Sequence, residues 1–318
     1  MLTILNTLDI SDVPEVREIL EQEAILINVQ PVKKEIFKFL HKADIYMSNA
    51  AYVVDKEFID YAVKLKLIAS PSTGTDHLDL VYLKKKHIKL FEISREYSLL
   101  KKFTATSELA FALILSLTRN IIPANQNVLK GYWGREVFKG NQLYDKTLGI
   151  LGLGRLGKIS SNIGKGFGMK VIACDPNVKK YKDVKMLSLE EVLKKCDVLS
   201  IHVHLNEETT NLINKDRLKL MKNTSILINT SRGKIVDEIA LLDFLKNNLI
   251  AGAGLDVIDG EWLTDKNRIN HPLIDYSKKN SNLLIVPHIG GSTEESIKYS
   301  RIFIAKKIVK FIREISNK

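Results

Sequence analysis

The chain has 318 residues, 45% of them hydrophobic, and a formal charge of +11. This is long enough for two cored domains. It has no apolar run able to cross a bilayer, and Met1 leads straight into a strand-like segment with no basic leader or cleavage site, so neither a membrane nor export is expected. The lysines fall in scattered pairs and triplets such as Lys33-Lys34, Lys84 to Lys86 and Lys306-Lys307. With no helix-turn-helix, zinc finger or mixed aromatic and basic run, that pattern suits a solvated surface rather than nucleic acid, and a diffuse positive field would also draw in an anionic substrate.

From the N-terminus, short apolar strands alternate with helical stretches, the pattern of a parallel sheet with helices on both faces. Strands are expected at Leu2 to Leu8, Ala24 to Val29, Asp44 to Ser48, Lys66 to Ser70 and Ile88 to Ile93. Helices are expected at Glu15 to Gln22, with Pro14 in the first turn, and at Lys33 to Lys42, Lys56 to Lys64 and Leu78 to Lys86. The loop Pro71-Ser-Thr-Gly-Thr-Asp-His-Leu-Asp79 follows a strand, where open α/β sheets place ligands. Its N–H groups near Thr73 and Gly74 suit a carboxylate, and the same residues would equally serve a plain helix-capping turn.

Thr104 to Leu129 reads as one long helix whose first half, Leu109 to Leu117, is apolar on every side. Such a helix must be covered all round, so it is expected to run between two domains, and together with the arm Gly131 to Asp145, bearing Trp133, it suits a dimer contact. Next, Lys146-Thr-Leu-Gly-Ile-Leu-Gly-Leu-Gly-Arg-Leu-Gly157 runs from strand to glycine-rich turn to helix. In that setting Gly152 permits the tight turn and Gly154 lets a diphosphate approach the backbone. Gly157 lets the helix pack on its strand, while Arg155 and Leu156 offer free N–H groups. The strand Lys170 to Cys174 ends at Asp175, the acid expected to hold both adenosine ribose hydroxyls and to repel a 2′-phosphate, which selects NAD over NADP. Cys174 and Cys196 lack CxxC spacing and suit buried thiols of a reducing, cytoplasmic setting, with no metal site.

A capping box at Ser188-Leu-Glu-Glu191 starts a helix through Lys195. Strands follow at Asp197 to Val203, Ser225 to Asn229, Ala251 to Leu255 and Leu283 to Val286, with helices at Asn214 to Met221, Val236 to Lys246 and Thr293 to Glu314. Three ionisable residues should project from the carboxyl edge of this second sheet: Arg232 in Thr230-Ser-Arg-Gly233, Glu261 beyond Asp256, and His288 in Pro287-His-Ile-Gly-Gly291. Oxidation of a 2-hydroxy acid needs a cation for the carboxylate or the C2 oxygen and a base for the hydroxyl proton as hydride leaves C2. The fork of Arg232 suits the first role and the imidazole of His288 the second, and Glu261 against that ring would orient it and stabilise its protonated form.

These motifs, with Gly254-Leu-Asp-Val257, resemble the signatures of the D-isomer-specific 2-hydroxyacid dehydrogenases, on the phosphoglycerate dehydrogenase-like side, over almost the whole chain. The resemblance implies a Rossmann NAD-binding domain over 104–292 inserted in a flavodoxin-like substrate domain of 1–103 and 293–318, assembled as a homodimer. It makes Arg232, Glu261 and His288 catalytic and gives the nicotinamide amide to Asp256. It lines the cofactor with His204, Thr209, Thr230, Ser231, Arg232, His288, Gly290 and Gly291. The substrate, a small anionic 2-hydroxy or 2-keto acid, is given to Ala50, Thr73, Gly74 and Arg232. No further domain is expected after the closing helix.

There are departures from the family pattern. Trp262 and His204 stand where the family usually has proline, Leu263 to His271 is a few residues long, and Ser94 to Phe103 replaces a short proline turn. Ser48 to Tyr52 carries no arginine for a phosphate, which counts against 3-phosphoglycerate. The rival from another class is a non-catalytic NAD(H)-sensing corepressor-like protein on the same fold, against which the intact Arg, Glu and His set argues.

Overall fold

Alternating apolar strands and amphipathic helices fold into two all-parallel sheets in the computed structural model, which describes residues 1–261 and 270–316. The chain divides into two units, Met1–Phe103 with Thr293–Lys318, and Thr104–Ser292.

In the first unit, β1 (Leu2–Asn6), β2 (Ala24–Asn28), β3 (Ile45–Met47), β4 (Leu67–Ala69) and β5 (Lys89–Phe91) lie in the order β2-β1-β3-β4-β5. This is the flavodoxin-like winding, whose order reverses beside β1. Successive strand residues face opposite sides, so each strand feeds two cores. Ile4, Ile45, Met47 and Leu67 pack with Val16, Leu20, Ile304 and Ile308 on one face. Leu5, Tyr46 and Ile68 pack with Ile36, Leu40 and Phe58 on the other. The closing helix, Glu294–Ser316, belongs to this unit through its buried stripe of Ile304, Ala305, Ile308, Phe311 and Ile312.

In the second unit, β6 (Thr147–Leu151), β7 (Lys170–Cys174), β8 (Lys185–Met186), β9 (Val198–Ile201), β10 (Ile226–Asn229), β11 (Gly252–Leu255) and β12 (Leu283–Ile285) run in the order β12-β11-β10-β9-β6-β7-β8. This is a Rossmann sheet, with its topological switch between β6 and β9. Strand ends are in register: Leu151 pairs with Ile201, Ile201 with Asn229, Asn229 with Leu255 and Leu255 with Ile285. The loops that follow therefore emerge along one edge.

The single helix expected over 104–129 is two helices, Ala105–Thr118 and Ile121–Leu129. Asn120 between them adopts the left-handed conformation, φ +53°. Pro123 explains the break, because a continuous helix would need its missing N–H and would drive its ring into the carbonyl of Arg119; in the first turn of a new helix neither cost arises. Part of the all-round apolar first half is covered within its own unit, while Ala112 is exposed. Ala110, Phe111, Leu113 and Ile114 join Leu148, Ile150, Val198, Ile226 and Ile228 in one core. Helix Ile121–Leu129 buries none of its residues. The two-residue edge strand β8 and the short helices Tyr97–Leu100 and Pro272–Ser277 were not foreseen. Among the described residues no single helix is long and apolar enough to cross a membrane.

Candidate active site

The glycine-rich turn has the shape a diphosphate requires. Gly152 has φ +89°, and a Cβ there would lie 2.6 Å from the His202 carbonyl oxygen; at Gly157 it would lie 2.1 Å from the Gly152 oxygen. At Gly154, the N-cap of helix Arg155–Gly166, an added Cβ would meet nothing within 4 Å. The turn is thus close-packed where it meets protein and bare where a ligand would lie, with the helix N-terminus behind it. Arg155 opens that helix half-buried, and burial lowers its pKa from the ordinary guanidinium value. The Leu156 carbonyl accepts the Ser107 hydroxyl at 3.1 Å.

Asp175 sits at the end of β7, beside the turn. Its Oδ2 accepts the Leu153 N–H at 2.7 Å, and Oδ1 accepts those of Asn177 and Val178 at 2.8 and 3.1 Å. The carboxylate therefore braces the glycine turn and retains lone pairs for a ribose. After β9, His204 is exposed and Thr209 closes a turn, its hydroxyl donating to the His204 carbonyl at 2.6 Å while its N–H reaches the Asn206 side chain at 2.9 Å.

Beyond β10, the Asn229 side chain folds the loop that carries Arg232. It donates to the Arg232 carbonyl at 2.8 Å and accepts the Ser231 N–H at 3.0 Å. The Ser231 hydroxyl donates to the Ile201 carbonyl at 2.9 Å, and Arg232 Nη1 donates to the Ser231 carbonyl at 2.7 Å. Among the described residues Thr230 Oγ1 is buried without a hydrogen-bond partner, and so is His202 Nδ1, whose ring meets Ser200 Oγ through Nε2 at 2.8 Å. Orphaned polar atoms of this kind at the switch-point edge fit a bound dinucleotide that would satisfy them. His202, which burial pushes down to about 4, was missed in the sequence. Its signal was its position directly after β9, equivalent to that of Thr230 after β10.

The loop after β12 is fixed by Asp256. This nearly fully buried carboxylate accepts the Ile289 N–H at 2.7 Å and the Gly290 N–H at 2.9 Å. Burial raises its pKa; the two N–H donors and His288 oppose the rise and Glu261 adds to it. His288 has φ +52°, and its N–H donates to the carbonyls of Asp256 and Val286 at 2.8 and 3.0 Å. Gly290 is needed because a Cβ would meet Asp256 Oδ2 at 2.7 Å, and its carbonyl accepts the Thr106 hydroxyl at 3.0 Å; at Gly291 a Cβ would meet nothing.

The structure brings Glu261 and His288 into contact, Oε1 to Nδ1 at 2.8 Å. A carboxylate on Nδ1 sets the tautomer and presents Nε2 for proton transfer. Arg232 and His288 each lie three residues past aligned strand ends, Asn229 and Ile285, on strands separated by one other, so their strands run about 10 Å apart at the usual spacing. Trp262 and most of the long stretch after it, 263–269, lie outside the described residues.

In the first unit, two loops after neighbouring strands are joined by His77 Nε2 and Ser48 Oγ at 3.2 Å. The helix after the second loop is capped by Asp79, whose side chain accepts the Tyr82 N–H at 2.9 Å. Capping therefore does not fall on Thr73, which is exposed, or on half-buried Gly74. Ala50 is half-buried in the loop after β3, next to Asn49, whose side chain accepts the Ala51 N–H at 2.9 Å.

Two family profiles cover most of the chain. The D-isomer specific 2-hydroxyacid dehydrogenase NAD binding domain matches residues 111–290, and the catalytic domain of the same family matches 4–99. The chain therefore belongs to the D-isomer-specific 2-hydroxyacid dehydrogenases, as an NAD-dependent oxidoreductase. It is 35% identical to a glyoxylate reductase of Thermococcus litoralis, over 89% of this chain and 85% of that one. It is 33% identical to a D-3-phosphoglycerate dehydrogenase of Methanocaldococcus jannaschii, over 88% of this chain but 52% of that one. Among solved structures, D-lactate dehydrogenase of Aquifex aeolicus, complexed with NAD and lactic acid, superposes with a TM-score of 0.86 at 31% identity, over 98% of this chain and 96% of that one.

Proposed function

We propose that the protein interconverts a small 2-keto acid and its D-2-hydroxy acid, with His288 as acid and base, Glu261 orienting it and Arg232 binding the substrate. The observation that carries this is the 2.8 Å contact between Glu261 Oε1 and His288 Nδ1 at the carboxyl edge of a dinucleotide-binding sheet. When bound, NADH supplies hydride to C2 of the substrate. His288 gives its Nε2 proton to the C2 oxygen during reduction and takes it back during oxidation, while Nδ1–H stays on Glu261. Arg232 pairs its guanidinium with the substrate carboxylate, and in the first unit the substrate-binding segments are the loop carrying Ala50 and the loop carrying Thr73 and Gly74. For the coenzyme, Gly152, Gly154, Arg155, Leu156 and Gly157 hold the diphosphate and Asp175 the ribose. His204, Thr209, Thr230, Ser231, Gly290 and Gly291 line the rest, and Asp256 uses its remaining lone pairs on the carboxamide.

The loop after β3 carries no cationic side chain in Ser48 to Tyr52, so the preferred acids have small uncharged C3 substituents or none. The test follows NADH absorbance with glyoxylate, hydroxypyruvate, pyruvate and 3-phosphohydroxypyruvate. Turnover of one or more of the first three, above that of the phosphorylated acid, is expected. NADH binding with no turnover of any acid would instead indicate a sensor. We also propose a homodimer through helix Ile121–Leu129 and the arm after it, where Trp133 is 88% exposed.

A further inference from the structure

A second carboxylate and imidazole meet in the NAD-binding unit. Glu238 opens helix Glu238–Lys246, and His271 caps helix Pro272–Ser277, its Nδ1 accepting the Leu273 N–H at 3.3 Å. That acceptor role places the ring proton on Nε2, 3.1 Å from Glu238 Oε2. The other Glu238 oxygen accepts the Asp259 N–H at 2.7 Å, and His271 also hydrogen-bonds the Asp259 backbone. Both side chains are largely buried, 14% exposed for Glu238 and 17% for His271. From the other side Gly233, next to Arg232, presses on the same peptide: a Cβ there would lie 2.2 Å from Asp259 N. The Asp259 peptide is thus the meeting point of the Arg232 loop, two helix starts and the turn that delivers Glu261 two residues later.

We propose that Glu238 and His271 are positioning residues that clamp the Asp259 peptide and thereby hold the Glu261 carboxylate against His288. This rests on the catalytic reading of that pair. The clamp is also sensitive to pH. Burial pushes Glu238 up to about 7, opposed by the Asp259 N–H and reinforced by the charges of Asp259 and Glu261. Burial lowers the pKa of His271, against the opposing Asp259 backbone bond and the charges of Asp259 and Asp275. Among the described residues, Asp237 caps its own helix through the Ala240 N–H, Asp275 pairs with Lys278 at 2.7 Å, and Lys234 stands 3.9 Å from Asp259. The Asp259 N–H is hydrogen-bonded to Glu238 Oε1, and His271 Nε2 lies 3.1 Å from Oε2. A proton on either oxygen would crowd one of these neighbours and loosen the turn as pH falls through neutrality.

The experiment compares kcat, KM, NADH affinity, Tm and the pH profile of keto-acid reduction for wild type, Glu238→Gln, His271→Asn and the double variant, with His288→Asn alongside. His271→Asn keeps an acceptor for the Leu273 N–H. Glu238→Gln should lower kcat by about 10- to 100-fold, the range for displaced supporting groups, with NADH affinity and Tm nearly unchanged. The wild type should show an acid limb near neutrality, and Glu238→Gln should abolish it. The double variant should be no worse than the poorer single one, because both break one clamp. An unchanged kcat in Glu238→Gln, an acid limb that survives in it, additive losses, or a parallel fall of kcat, NADH affinity and Tm would each overturn the proposal. If His288→Asn retains full turnover, the catalytic reading itself fails; if it is inactive while Glu238→Gln behaves as wild type, only the clamp fails.

Discussion

His288 joins backbone and side-chain constraints at one residue. Its left-handed φ of +52° is held by the carbonyls of Asp256 and Val286, and its ring by Glu261. Asparagine tolerates that backbone region better than alanine, so His288→Asn isolates the loss of the acid and base. It should reduce kcat by about 10² to 10⁴-fold, the usual worth of such a group, while NADH fluorescence titration shows nearly wild-type affinity. Equal loss of both would make the imidazole structural. Asp175 carries a different choice. A 2′-phosphate beside it would face a like charge, and charges about 4 Å apart repel by about 1 kcal/mol in water and about 4 kcal/mol near a protein surface. Asp175→Ala should therefore lower the ratio of kcat/KM for NADH over NADPH on the order of tenfold. It should also weaken NADH binding, since Leu153, Asn177 and Val178 lose an acceptor; an unchanged ratio would remove Asp175 from coenzyme selection.

At the scale of elements, the strand ends were legible because each apolar run stops at a polar or glycine-bearing turn, and in a parallel sheet those stops share an edge. The break at Asn120 was not, because an all-round apolar stretch hides any change of face; Pro123 was the only local cue. The clamp of Glu238 and His271 joins residues far apart in the chain and has no local signature at all. A similar tertiary link fixes the start of β9. Asp197 Oδ2 accepts the Thr147 N–H at 2.8 Å and Oδ1 pairs with Lys222 at 2.9 Å, tying β9 to β6 and to the turn before β10. Burial alone would raise this carboxyl, yet the Thr147 N–H and Lys222 outweigh it and the net shift is downward. A folded-state value below the unfolded one stabilises above the unfolded value, about 3.9, and the contribution is lost as pH falls through the folded value. Asp197→Asn should accordingly lower Tm at pH 7, and the gap from wild type should close below about pH 4 in calorimetry. A gap of constant size at both pH values would assign the loss to packing instead of charge.

For the whole molecule, the formal charge of +11 and the uncovered apolar face pull in opposite directions. Two copies repel at long range, and only a desolvated contact can overcome that. Leu129, Tyr132, Trp133 and Val137 are 78%, 64%, 88% and 75% exposed within 9 residues of chain, beside exposed Ile121, Ile122 and Val128. Apolar exposure concentrated in this way is what the proposed dimer contact would cover. Tryptophan is a frequent anchor of such contacts, often worth about 2 kcal/mol or more on truncation. Sedimentation should therefore show a species of twice the chain mass whose dissociation weakens from low to physiological salt, as screening shortens the repulsion to about 8 Å. Trp133→Asp should shift it to the chain mass with a nearly unchanged Tm for the remaining fold. A wild type that sediments at the chain mass at every salt and protein concentration would leave this face to some other role.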